Sequence, residues 1–215
     1  MQPYRTRKVR ILNGAHTSMV PISLMHGNLT VEETINDSFT GSLVSELIFD
    51  EIMPTLDLEQ RELEEFANAV LDRFRNPFIN HYLSSIALNS ISKFKVRVLP
   101  SLLEYRIRKG YLPKNLTFAF ACLLRYYQDD WQGKKLPIND DETVVVKLQT
   151  AWDTSNIEAS IRTVLGFTDF WGQDLTRIKG LSKSLALALA NIEKHGIEHG
   201  YAVFAKTFRH YEKVD

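Results

Sequence analysis

Apolar residues recur every three to four positions along almost all of this chain, and the breaks in that rhythm carry helix-stop chemistry rather than strand turns. That confines the chain to an all-α fold, helices packed on helices around one core. The first helix is expected to end near Gly27. Thr30-Val31-Glu32-Glu33 has the capping-box spacing, Ser/Thr followed by Glu three residues on, and opens a second helix that Pro54 should bound. Asp57-Leu58-Glu59-Gln60 opens a third in the same way, running to about Arg75, where Asn76-Pro77 breaks it. Further helices are expected at about 78–93, 101–109, 115–128, 142–151, 156–166 and 182–195, with Gly110, Gly166 and Gly196 where C-caps belong. Val144-Val145-Val146 is β-branched and leaves a strand open as an alternative there. Residues 129–141, rich in Asp, Asn, Gly and Pro, read as a surface loop.

At 215 residues the chain can bury one substantial core. Lys+Arg and Asp+Glu are equal at 26 each, so no overall field favours nucleic acid or an anionic membrane. No apolar run approaches a membrane span, and the N-terminus has no signal-peptide h-region. The single Cys122 excludes an intrachain disulfide and, inside Phe118–Leu124, reads as a small buried hydrophobe. A reducing cytoplasm fits these features. Arg5, Arg7, Lys8 and Arg10 form a local basic cluster, read as a solvated end that could also favour an anionic substrate. The loop acids lack the D-x-[DN]-x-[DN]-G order of a calcium loop. His195 and His199 have i,i+4 zinc spacing, but each is followed by glycine and has no third ligand nearby, so a helix end is the preferred reading and no metal is expected. His26 and His210 suggest no chemistry. Glu62, Glu64 and Glu65 read as a solvated helix face.

Chemistry concentrates at the start. Lys8, Asn13 and His16 form a K-x4-N-x2-H pattern in an apolar helical stretch. At 3.6 residues per turn the three side chains fall within an arc of roughly 140°, and Asn13 and His16 are i,i+3 neighbours. By spacing alone the commoner reading of such a set is structural. As chemistry, it joins a titratable amine, an amide donor and an imidazole, which can move a proton on and off a sugar hydroxyl while stabilising an oxyanion.

The wording around them is more specific. Lys8-Val9-Arg10-Ile11-Leu12-Asn13-Gly14-Ala15-His16 resembles the active-site signature of the mannitol dehydrogenase family, the long-chain, metal-independent polyol and uronate dehydrogenases. Arg73-Phe74-Arg75-Asn76-Pro77, Val98-Leu99-Pro100-Ser101-Leu102, and Phe118 to Tyr126 with its following acidic turn are similar to later segments of that family. The resemblance runs from about residue 6 to about residue 140. Ala15-His16-Thr17 and Ser92-Lys93-Phe94-Lys95 look most like the tagaturonate reductases (altronate oxidoreductases) within it.

The resemblance implies a multi-helical C-terminal substrate domain like that of 6-phosphogluconate-dehydrogenase-type enzymes. It implies Lys8 as catalytic acid/base, with Asn13 and His16 binding the reacting oxygens. Arg73 lies near the family's substrate-binding arginine and suits a uronate carboxylate, with Arg75 as competitor; His81 is a candidate for a hydroxyl contact. A lysine has an ordinary pKa of about 10.4, so a base role requires desolvation or nearby cations: Arg7 or Arg10 if they point inward, or a nicotinamide ring. The implied cofactor is NAD, bound mainly by an N-terminal domain. None of the ten glycines here forms a G-x-G pair, so residues 1–215 look like the C-terminal domain without its dinucleotide-binding partner, folded but catalytically silent alone. The expected partners are a small sugar acid and that nucleotide-binding domain. Fructuronate reductase and mannitol dehydrogenase share the signature and remain alternatives, as does a stand-alone, non-catalytic helical interaction domain.

Overall fold

The computed structural model describes residues 3–153 and 155–211. It is 74% helical with one two-residue hairpin, which puts it in the all-α class. The first helix, α1, runs over residues 3–26 in three continuous parts: Pro3–Arg7, a wide π-turn Lys8–Leu12, and Asn13–His26. Gly27, at φ 119°, ends it as its position suggested. The Thr30 capping box forms, with Thr30 accepting from the Glu33 N–H and Glu33 accepting in return.

The second helix is not continuous to Pro54. Val31–Asn36 (α2) stops because Asp37 turns extended and its carboxylate accepts the N–H groups of Phe39 and Thr40, starting Ser38–Glu46 (α3). That helix continues through a second π-turn, Leu47–Ile52, and a 3₁₀ turn, Met53–Thr55, which carries Pro54. The next helix, Gln60–Phe74 (α4), starts without a cap from Asp57, whose carboxylate instead binds Arg108 at 2.7 Å.

The expected helix at 78–93 is replaced by an irregular 76–82 segment, Leu83–Ile86 (α5) and Ser90–Arg97 (α6). The cause is backbone pairing across the chain: Val31 N–H donates to His81 C=O at 3.0 Å and Leu83 N–H to Leu29 C=O at 2.9 Å, which holds the segment extended. Leu99–Lys109 (α7), Lys114–Tyr126 (α8), Glu142–Thr150 (α9), Ile157–Leu165 (α10) and Leu181–His195 (α12) fall within a few residues of expectation, and residues 144–146 are helical. The 129–141 loop carries a hairpin pairing Asp130–Trp131 with Lys134–Lys135. Thr168–Trp171 (α11) and the last helix, Ile197–Tyr211 (α13), were not anticipated. Gly110 and Gly196 take positive φ, but Gly166 closes its helix at φ −76°. Gly200 is no helix end: it lies within α13, where a Cβ would sit 2.7 Å from the Asn191 carbonyl oxygen of α12.

α8 is the axis of the core. Every residue from Phe118 to Leu124 is buried, Cys122 included, so this helix is apolar all round and other helices enclose it. α1 and α12 pack directly on it, and the Asn13–His26 part of α1 is itself mostly buried. The signature therefore rides on a rod anchored in the core, with only its first turns reaching the surface. No helix among the described residues is long and apolar enough to cross a membrane.

Candidate active site

The π-turn changes the geometry that the sequence predicts. The Asn13 N–H bonds to the Lys8 carbonyl five residues back, so five residues close one turn. In a regular α-helix that spacing would leave Lys8 and Asn13 about 140° apart. The wide turn takes up most of that offset and brings Lys8 round toward the side carrying Asn13 and His16.

Lys8 is exposed and lines a groove of about 220 Å³ between α1 and α4, together with Tyr4, Leu12, Phe66 and Arg73. Asn13 and His16 lie further along α1 and are half-buried. The Asn13 backbone is committed, its carbonyl accepting from the Thr17 hydroxyl at 2.9 Å. Among the described residues its side-chain amide has no hydrogen-bond partner.

His16 is packed on Phe74, with ring centroids 4.4 Å apart, and meets the edge of His81 at 5.9 Å. Its Nε2 is buried without a partner. Burial, reinforced by the nearby positive groups His81, Arg73 and Arg97, drops its pKa to about 4. At neutral pH His16 is therefore an uncharged imidazole, suited to orienting a hydroxyl rather than to donating a charge. Because the folded pKa lies below the ordinary 6.5, its contribution to stability is complete above 6.5 and is lost as pH falls toward 4, by about 2–3 kcal/mol. Urea unfolding at pH 7.5 and pH 4.5 checks this. His16→Gln should remove that share of the acid sensitivity, whereas an unchanged pH dependence would contradict the burial argument.

The other candidates fall into two groups. Arg73 shares the groove with Lys8, and His81, although exposed, stands beside His16. Arg75 is drawn to Asp72 at 3.2 Å. The two cations expected beside Lys8 are engaged elsewhere: Arg7 pairs with Glu62 at 3.1 Å, and Arg10 donates to Ser101 at 2.7 Å and Thr55 at 3.2 Å. Glu62 is thus partly committed, though still on an exposed face. His195 and His199 do meet, centroids 5.0 Å apart, but no cluster of three His, Cys, Asp or Glu side chains suited to a metal occurs among the described residues. His26 lies 3.6 Å from Asp37, and the His210 side chain is outside the described residues.

One residue near the site escaped the sequence reading. Arg97, at the end of α6, is half-buried beside His16, and its Nη1 lies 3.4 Å from the Thr17 hydroxyl. Its backbone is brought there by Gly14, where a Cβ would stand 3.2 Å from the Arg97 carbonyl oxygen. The only signal for it in the sequence is the small residue inside the signature, which permits a close helix crossing without naming the partner.

Comparison with known proteins bears on this arrangement. The family model for the mannitol dehydrogenase C-terminal domain matches residues 1–193. The chain belongs to that family. The match extends through α12 to residue 193, well past the last motif legible in the sequence. Altronate oxidoreductase of Pectobacterium atrosepticum is 43% identical over 207 residues, covering 92% of this chain and 42% of the relative. The altronate oxidoreductase of Yersinia enterocolitica is 41% identical over 210 residues, covering 95% and 44%. The chain thus spans less than half the length of the curated relatives it matches. Among solved structures, Pseudomonas fluorescens mannitol 2-dehydrogenase, in a ternary complex with NAD and D-mannitol, aligns with a TM-score of 0.84 at 19% identity, covering 95% of this chain and 41% of that one. A substrate-free D-sorbitol dehydrogenase aligns with a TM-score of 0.77 at 18% identity, covering 93% and 40%. The mannitol dehydrogenase C-terminal domain is therefore the fold as well as the sequence family of this chain.

Proposed function

We propose that this chain is the substrate-binding and proton-transferring domain of an NAD-dependent tagaturonate reductase, converting tagaturonate to altronate. The observation that carries the reading is the stacking of Lys8 toward Asn13 and His16 by the π-turn, beside a groove that also holds Arg73. The similarity to altronate oxidoreductases at 41–43% identity supports the substrate. Reduction of a ketone leaves an alkoxide that must gain a proton. Lys8 as ammonium donates it, and as neutral amine takes it back in the oxidative direction. Asn13 donates its amide N–H to the developing oxyanion. Neutral His16 fixes the adjacent oxygen through Nε2, and His81 contacts a neighbouring hydroxyl. The nicotinamide, when bound, supplies or accepts the hydride. With no G-x-G turn in the sequence, its pyrophosphate has no cradle in these residues, and we assign it to a separate nucleotide-binding domain.

The test uses the enzyme with that domain in place and compares tagaturonate with fructose as substrates for NADH oxidation. Tagaturonate should show the higher kcat/KM. Faster reduction of fructose would move the assignment to mannitol dehydrogenase. Failure to reduce either sugar despite intact NADH binding would favour a non-catalytic interaction domain.

A further inference from the structure

We infer that Arg97, rather than Arg73 or Arg75, seats the anionic group of the substrate and sets the preference for a sugar acid over a neutral sugar. This deepens the reading of the site as a uronate reductase and rests on it for the identity of the anion. Arg7, Arg75, Arg108 and Arg125 each sit against a carboxylate. Arg97 is more enclosed than Arg75, yet among the described residues the polar contact it makes is a long one to a neutral hydroxyl, Thr17. Lys93, one turn earlier on α6, adds positive charge, and burial lowers the pKa of both cations. A half-desolvated guanidinium with no anion is costly, and a ligand carboxylate would relieve that cost.

The position is also right for the chemistry. Thr17, which Arg97 reaches at 3.4 Å, directly follows His16 with its buried and unpartnered Nε2, and Gly14 lets the α6 backbone close on α1 within one turn of Asn13. A guanidinium fork can hold both oxygens of a carboxylate at once. Arg73 lines the outer groove with Lys8, where water screens it more strongly, and Arg75 is diverted to Asp72. A substrate with its carboxylate on Arg97 would extend along α1 past His16 and Asn13 toward Lys8.

Two measurements test the assignment. In the first, the enzyme with its nucleotide-binding domain is assayed on tagaturonate and fructose as wild type, Arg97→Met, Arg97→Lys and Arg75→Met. Arg97→Met should raise KM for tagaturonate about 100-fold with a much smaller change in kcat, and leave fructose kinetics near wild type. Arg97→Lys should recover part of the loss, and Arg75→Met should behave as wild type. In the second, calorimetry follows binding of altronate and of its neutral alditol to the same proteins, with thermal melts confirming that each is folded. Altronate binding should weaken about 100-fold in Arg97→Met, with alditol binding unchanged. Unchanged altronate binding, equal losses for altronate and alditol, or a wild type that does not prefer altronate would each overturn the assignment. Arg97-dependent altronate binding in an enzyme that does not reduce tagaturonate would uphold the anion seat and refute the proposed reaction. Normal tagaturonate reduction by Arg97→Met would do the reverse.

Discussion

Lys8→Ala should lower kcat for tagaturonate reduction by about three powers of ten while shifting KM only a few-fold. The side chain lies on the exposed edge of the groove, so its removal takes away the proton donor without opening the core. Neither Arg7 nor Arg10 can take over: both are held by partners of their own and neither could deliver a proton at neutral pH. Steady-state kinetics on the enzyme with its nucleotide-binding domain checks the split, and small amines in the assay should restore part of kcat at the vacated site. A kcat within tenfold of wild type would remove Lys8 from the proton-transfer role.

The second large effect is on folding. Glu51 lies in the second π-turn and is almost fully buried, and its two carboxylate oxygens accept the N–H groups of Asn115 and Leu116 at 2.6 and 2.7 Å. These are orphan donors at the start of α8, whose own N-cap residue, Pro113, supplies no side-chain bond. Burial pushes the Glu51 carboxyl upward in pKa, and the two donors pull it back. Glu51→Ala should cost about 3–5 kcal/mol, because two buried N–H groups lose their acceptors at once. Glu51→Gln, which keeps the shape but turns an NH₂ toward one donor, should be intermediate. Denaturant unfolding of the 215-residue chain measures both. A loss below about 1 kcal/mol in the alanine variant would mean that water can enter and satisfy α8.

Local rules carried much of the sequence reading. The Thr30 box, the stop at Gly27 and the break at Asn76-Pro77 each follow from a few adjacent residues, and each appears in the fold. What was illegible depends on contacts between distant segments. Asp37 could be a solvated helix residue until its carboxylate is seen capping α3. The extended 79–82 stretch needs residues 29–31 as its pairing partner. Gly200 imitates a helix end locally and is a crossing point in space. At the site, Lys8, Asn13 and His16 could be named together because they share one helix. Arg97 could not, since only the packing of α6 on α1 makes it their neighbour. The π-turn was hidden for a related reason: the pattern K-x4-N reads the same whether the residues between wind at the ordinary pitch or a wider one.

That wide turn holds one residue more than the alignment of the site needs. Deleting a single residue between Lys8 and Asn13 would let the helix relax to its regular pitch, and four steps of about 100° in place of five would leave Lys8 roughly 40° from Asn13. Residues 3–8 would keep their side of the helix, so Tyr4 and Lys8 would stay at the groove and Arg7 near Glu62. Straightening the turn with all five steps retained would instead swing residues 3–8 about the axis by roughly 100°, while Asn13–His26 stayed seated in the core. Tyr4 and Lys8 would then leave the groove.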